Sequence, residues 1–161
     1  MDANIKNAIL EINEAVNEYV HTKRLFCGGC CYSAYLIANA LKRLGIEYKV
    51  VLFLSGQNAD EREFANAISG DCDHVAIKVR VGRKNLIIGD YSGIMRFYDL
   101  IGYVPELREY DDISPRTLRD AYYGKSWNPS YDTTNNRPLS AIINGIVDKH
   151  IEDGNPMRKA A

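Results

Sequence analysis

The sequence predicts an α+β fold in which a helix that carries adjacent cysteines packs against an antiparallel sheet. Several segments have apolar residues at steps of three and four, which is typical of amphipathic helices. Two short runs of alternating apolar residues are separated by Gly-Arg-Lys, which is typical of a β-hairpin. No internal repeat or low-complexity linker divides the 161 residues. We therefore expect residues 1–153 to form one domain and residues 154–161 to form a frayed tail.

Two amphipathic helices are predicted before the first strand. The first covers residues 4–20, and its apolar positions are Ile5, Ile9, Ile12, Val16 and Tyr19. The second covers residues 30–44, follows the turn at Gly28-Gly29, and ends at Gly45, a residue type that stops helices readily. The cysteines therefore lie on the first turn of a helix.

The middle of the chain is predicted to supply the sheet. Residues 48–54 are rich in aromatic and β-branched types and indicate a buried strand, followed by a short helix over residues 61–68. Residues 74–81 alternate, residues 82–84 form a turn, and residues 85–91 return as the second strand of a hairpin. The pairing brings position 74 opposite positions 90 to 92.

Two more helices are predicted in the C-terminal half. Ser114 has the residue type of an N-cap, and Pro115 suits the first helical position of a helix that ends near Gly124. Apolar residues at helical spacing predict a last helix over residues 139–150. No strand is predicted after residue 93.

The composition argues against some classes of partner. With 20 basic and 21 acidic residues the net charge is -1, so no general attraction to nucleic acid or to an anionic membrane is expected. No apolar run approaches the ~18 residues of a membrane span. The first eleven residues lack the apolar core of a signal peptide. We therefore expect a cytoplasmic protein with neither nucleic-acid nor membrane partners.

Four cysteines in a reducing compartment indicate catalysis or metal binding rather than a disulfide framework. They are Cys27, Cys30, Cys31 and Cys72. A thiol on the first turn of a helix faces unpaired backbone N–H groups and the positive end of the helix dipole, which favour the thiolate.

A cysteine, a histidine and an aspartate have the arrangement that nucleophilic catalysis requires. Cys30 would be the nucleophile, His74 the base that takes its proton, and Asp90 the carboxylate that orients the imidazole. The predicted hairpin register brings His74 and Asp90 within side-chain reach. The expected chemistry is attack on an amide through an acyl-enzyme, with no cofactor.

The same residues resemble the core motif of the transglutaminase-like superfamily, which shares the Cys-His-Asp order of papain-like cysteine proteases. Gly28-Gly29-Cys30 is similar to its Gly-x-Cys, Ala34 follows four residues later, and Leu44-Gly45-Ile46 ends the helix. The segments 74–79 and 86–90 are similar to its histidine and aspartate strands, although the aromatic residue that often follows the histidine is replaced by Ala76.

This resemblance implies a papain-like or transglutaminase-like core with Cys30, His74 and Asp90 as catalytic residues. Its register selects Cys30 rather than Cys31 as the nucleophile. The superfamily includes proteases, transglutaminases, deamidases and peptide N-glycanases, so it implies a peptide or protein substrate without fixing the acceptor, water or amine. The second donor of the oxyanion hole stays open among Tyr19, His21, Arg24 and Trp127.

Two non-enzymatic alternatives remain open. Cys27-x-x-Cys30 together with Cys72-x-His74 supplies four possible zinc ligands, which would make the chain a zinc-stabilised binding module. The chain could also be a catalytically inactive member of the superfamily. His21 and His150 have no evident partners in the sequence and are predicted to lie on the surface.

Overall fold

The computed structural model describes residues 3–23, 30–54, 63–69, 72–89, 100–103, 105–124 and 138–154, and these form a mixed α+β fold. The helices are α1 (Ala3–Lys23), α2 (Cys30–Arg43), α3 (Phe64–Ser69), α4 (Pro115–Gly124) and α5 (Leu139–Gly154). The strands are β1 (Tyr48–Leu54), β2 (Cys72–Val81), β3 (Lys84–Ile88) and β4 (Glu106–Tyr110). The predicted fold class is confirmed at this level.

The described strands form one antiparallel sheet in the order β3-β2-β1-β4. The predicted hairpin is β2–β3, with Val81 opposite Lys84 and Gly82 in the left-handed region at φ 63°. The turn is one residue shorter than predicted because Lys84 already pairs with Val81 as the first residue of β3. A bulge between Phe53 and Leu54 in β1 lies beside the start of β2.

Helix α2 packs on one face of the sheet, mainly against β2. Val75, Ile77 and Val79 of β2 join the side chains of α2 in the larger apolar core, which confirms the predicted alternation. The opposite face carries a second, smaller cluster around Phe53. Each large aliphatic side chain that is buried in this way contributes about 1.5–3 kcal/mol relative to its exposed state.

Helix α2 ends at Arg43, one residue before the predicted end, and a Schellman motif at Gly45 follows. Gly45 lies in the left-handed region at φ 68°, and its N–H donates to the Lys42 carbonyl at 3.1 Å. The Ile46 N–H donates to the Leu41 carbonyl at 2.9 Å. These bonds satisfy carbonyls that the end of a helix leaves without partners.

The predicted helix in the C-terminal half begins as expected. The Ser114 hydroxyl accepts a hydrogen bond from the Thr117 N–H at 3.1 Å, and Pro115 is the first helical residue of α4. This is the N-cap geometry that satisfies one of the free N–H groups of a first turn.

Helices α1 and α5 pack together and correct the prediction for His150. That residue is 5% exposed rather than on the surface. Its Nδ1 lies 2.6 Å from Asn4 Oδ1, and its Nε2 lies 3.1 Å from the Glu11 carboxylate, without the angles of a hydrogen bond. The Asn4 side chain also donates to the His150 carbonyl at 2.8 Å, so polar contacts join the two helices.

Several helices begin or end at other residues than the sequence predicts. Helix α1 extends beyond the predicted 4–20 at both ends, and α3 begins at Phe64, after the predicted start. Helix α5 continues past His150 to Gly154, the first residue of the predicted tail, and residues 155–161 lie outside the described residues. Within the described ranges, no helix combines the length and apolar character needed to cross a membrane.

Candidate active site

Cys30 is the first residue of α2 and belongs to the larger apolar core. Its side chain is 7% exposed. Because the N–H groups of the first helical turn have no partner inside the helix, their partial positive charge favours a negative sulfur at this position. Of the predicted turn before it, Cys27 and Gly28-Gly29 lie outside the described residues.

His74 lies near the start of β2 and is 3% exposed. It pairs with Phe53 of β1, whose ring meets the imidazole edge to face at a centroid distance of 5.1 Å. The Nε2 atom is 2.8 Å from the Gly89 carbonyl oxygen. A carbonyl oxygen can only accept, so Nε2 carries the proton and Nδ1 of the neutral ring carries the lone pair.

The structure brings Cys30 and His74 together. The pKa of the Cys30 thiol is held well below its ordinary value by a hydrogen bond with the Cys31 thiol, by a hydrogen bond and charge interaction with His74, and by the Val75 backbone. Burial acts in the opposite direction and raises that pKa, but the hydrogen bonds and the imidazole charge prevail. The arrangement favours the thiolate form of Cys30, which is the reactive form of a cysteine nucleophile.

Gly89 is a site residue to which the sequence assigned no role. Its φ of 84° lies in the left-handed region, and a Cβ at this position would stand 3.3 Å from Ile37 Cδ1 of α2. Gly89 thus follows the last residue of β3 and lies close to α2. Its carbonyl oxygen accepts the hydrogen bond from His74. The one available signal was a glycine that directly follows the apolar strand Leu86-Ile87-Ile88.

Asp90 lies outside the described residues, and its predicted role as the orienting carboxylate stays a prediction. The same holds for Arg24, Trp127 and the side chain of His21 as candidates for the second oxyanion donor. Tyr19, the remaining candidate, belongs to the apolar core. Among the described residues, the acceptor that holds the imidazole is the Gly89 carbonyl.

Cys72, a predicted alternative metal ligand, is half-buried at the start of β2. Its thiol donates a hydrogen bond to the main-chain carbonyl of His74 at 3.3 Å, beside the bulge in β1. Within the part of the chain that the structure describes, no three His, Cys, Asp or Glu side chains are grouped to hold a metal ion. Cys27, the fourth member of the proposed zinc set, is outside that part.

Comparisons with protein-family models, with curated proteins and with solved structures found no match for this chain.

Proposed function

We propose that this chain is a thiol-dependent amide hydrolase or acyltransferase of transglutaminase-like type, acting on a peptide or protein substrate. One observation carries the proposal: the buried Cys30 thiol at the start of α2 lies against His74, whose tautomer is set by the Gly89 carbonyl. A helix-start thiol, a contacting imidazole and an acceptor behind that imidazole are the three parts of an activated cysteine nucleophile.

The first half of the reaction forms a thioester. The Nδ1 atom of His74 takes the Cys30 proton, and the sulfur attacks the carbonyl carbon of the substrate amide. The Cys30 backbone N–H, which has no partner inside the helix, donates to the oxyanion of the tetrahedral intermediate. The imidazolium then gives its proton to the leaving amine, the C–N bond breaks, and the acyl group remains on Cys30.

The second half regenerates the enzyme. His74 takes a proton from water or from an amine, the acceptor attacks the thioester, and the Cys30 thiolate leaves. Water yields proteolysis or deamidation, and an amine yields cross-linking. No step requires a cofactor.

We also propose a catalytic role for Asp90, which directly follows Gly89 in the sequence. The Gly89 carbonyl accepts the Nε2 proton, and we propose that the Asp90 carboxylate helps to hold the imidazole in this orientation. The charge of Asp90 would also stabilise the imidazolium that forms when Cys30 loses its proton.

A thiol-directed activity probe with a peptidyl electrophile tests this proposal. We expect one covalent adduct per chain, mapped to Cys30 by fragment-ion mass spectrometry. Labelling should be lost in Cys30→Ser and retained in the matched variant Cys31→Ser. Labelling of Cys30→Ser at the wild-type rate, or slow labelling of every thiol, would contradict the proposal. So would one bound zinc per chain that is lost in Cys27→Ala, because a metal-held thiol is not a nucleophile.

A fluorescent primary amine separates the two acceptors once a protein substrate is found. Incorporation of the amine indicates acyl transfer, new amino termini indicate proteolysis, and ammonia release without incorporation indicates deamidation. Each outcome should disappear with Cys30→Ser.

A further inference from the structure

An open cavity of about 520 Å³ lies between the C-terminal half of α2 and the start of α4. The described residues that line it include four cationic side chains and no carboxylate; the cations are Lys42, Arg43, Arg116 and Arg119. The cavity is remote from the nucleophile, because Lys42 is about 18 Å along the helix from Cys30. It therefore forms a second candidate site at the opposite end of α2.

Helical periodicity brings these side chains to the cavity from two elements. On α2, Tyr35, Asn39 and Lys42 follow one another at steps of four and three, which places them on one face of the helix. On α4, Arg116 and Arg119 are three residues apart and share a face in the same way. The two helices pack against each other, so the cationic cluster is built on regular structure rather than on a loop.

Arg43 is held in place by α5 without any ligand. Its guanidinium donates to Asn144 Oδ1 at 2.9 Å and pairs with the Asp148 carboxylate at 2.5 Å. A cation that is already oriented loses less side-chain entropy when an anion binds.

The other cations of the cavity are only partly neutralised. Arg116 and Arg119 share one carboxylate, that of Asp120. Among the described residues, Lys42 has no acidic partner at ion-pair distance. Four cations with two carboxylate partners leave a surplus of two positive charges at the cavity.

We propose that this cavity binds the phosphate groups of a small soluble ligand. Guanidinium and ammonium groups that approach from two helices suit a tetrahedral group with several charged oxygens, whereas a carboxylate offers two oxygens in one plane. The inference goes beyond the proposed function, because the cavity contains neither Cys30 nor His74 and either proposal could fail alone.

The surrounding charges favour a small ligand over a membrane or an extended polyanion. An adjoining cavity of about 720 Å³ shares part of the lining and includes the acidic residues Glu47, Asp111 and Asp112. Asp120 and Asp148 add further negative charge beside the cations. These carboxylates would repel the outer parts of an anionic surface or polymer, while a compact phosphate contacts the cationic cavity alone.

Isothermal titration calorimetry with inorganic pyrophosphate, at an ionic strength held constant with NaCl, tests the inference without any substrate. We expect saturable binding, and Lys42→Gln and Arg116→Gln should each weaken it roughly tenfold, the usual order for loss of a hydrogen bond to a charged group. Both residues are exposed, Arg116 by 82% of its side chain, so neither substitution removes packing. Arg83→Gln is the matched control, because it removes the same charge at the exposed β2–β3 turn and should leave the affinity unchanged.

Several results would overturn the inference. One is the absence of saturable binding in the wild-type protein, and another is an equal loss of affinity in Arg83→Gln, since net charge and not the cavity would then matter. Acetate that binds as tightly as pyrophosphate would exclude a phosphate site. Cosedimentation with phosphatidylserine vesicles that depends on Lys42 and Arg116 would assign the cations to a membrane surface instead. The reactivity of Cys30 is measured separately, so none of these results decides the proposed function.

Discussion

At the scale of single residues, the orientation and tautomer of the His74 imidazole depend on a glycine, Gly89. The Gly89 carbonyl fixes the imidazole, and it can do so because Gly89 adopts a φ of 84° close against Ile37. A side chain at this position would strain the backbone and press on α2, the helix that carries Cys30. The orientation of the His74 imidazole and the packing of α2 therefore both involve the same backbone position.

We predict that Gly89→Ala lowers both stability and reactivity. The left-handed conformation of a residue with a Cβ costs about 1–2 kcal/mol in the free energy of unfolding, and the added methyl group would stand 3.3 Å from Ile37 Cδ1. Urea denaturation measures the loss of stability, and the alkylation rate of Cys30 measures the loss of reactivity.

Gly45→Ala is the matched control for that experiment. Gly45 has a φ of 68°, and a methyl group added there would meet no atom within 4 Å, so its substitution brings the backbone strain without the site contact. We expect a similar loss of stability with the Cys30 alkylation rate unchanged. Equal losses of reactivity in the two variants would show that Gly89 acts through stability alone.

Residue chemistry explains what could be predicted at the site. Cys30 and His74 could be found from the sequence because the residue type marks each side chain. The spacing of the neighbouring apolar residues then places Cys30 at a helix start and His74 on a strand. The acceptor for His74 is a main-chain carbonyl, which every residue possesses and no residue type marks.

At the scale of elements, helices with marked ends were predicted most closely. Helix α4 begins at Pro115 because Ser114 caps it, and α2 ends two residues before the capping glycine, Gly45. Both signals are local, so neither needs knowledge of the rest of the fold. Strand β1 has the predicted bounds because its apolar residues are buried almost without a break.

Strand β4 was not predicted, and its position explains why. It lies at the edge of the sheet, and its sequence Glu-Leu-Arg-Glu-Tyr has one aliphatic residue, Leu107, which is exposed. One of its charged residues contacts other strands instead: Glu109 forms ion pairs with Lys49 of β1 and with Lys78 of β2, which lies beyond β1. A strand that is held by pairing with β1 rather than by its own apolar pattern has little signal in the sequence.

The cap of α4 gives a prediction at this scale. Ser114→Ala removes the acceptor for the Thr117 N–H and should lower the free energy of unfolding by about 1 kcal/mol. Ser114→Asp retains an acceptor and should stay close to wild type in the same urea titration. An equal loss in both variants would mean that the cap is not what stabilises the start of α4.

At the scale of the whole molecule, the first and last described helices are joined by a polar cluster. Asn4 and Glu11 of α1 meet Lys149 and His150 of α5. Burial raises the pKa of the Glu11 carboxyl, but the hydrogen bonds from Lys149 and the electrostatic interaction with His150 and Lys149 outweigh burial and hold that pKa below its ordinary value. The sequence could not predict this junction, because its partners are more than 130 positions apart.

The lowered pKa of Glu11 sets the sign of a pH effect on stability. A carboxyl whose pKa is lower in the folded than in the unfolded protein stabilises the fold above its unfolded pKa. That contribution is lost as the pH falls through the lowered folded pKa. Glu11→Gln should therefore unfold more easily than wild type at neutral pH, and the difference should vanish in acid.

The expected size is below about 1 kcal/mol, because the Glu11 side chain is 37% exposed and water screens its ion pairs. Thermal or urea unfolding at several pH values measures it. Glu14→Gln, at an exposed position of the same helix, is the matched control and should show no such pH dependence. A Glu11→Gln difference that is constant with pH would contradict the account.

The rate of Cys30 alkylation as a function of pH tests most directly the proposal that His74 activates the Cys30 thiol. An ordinary thiol has a pKa of about 8.5 and loses reactivity as the pH falls below that value. We predict that Cys30 in the wild-type protein remains reactive below pH 7, and that His74→Ala shifts its profile toward that of an ordinary thiol. A Cys30 profile that is ordinary in the wild-type protein, or identical in His74→Ala, would contradict the claim.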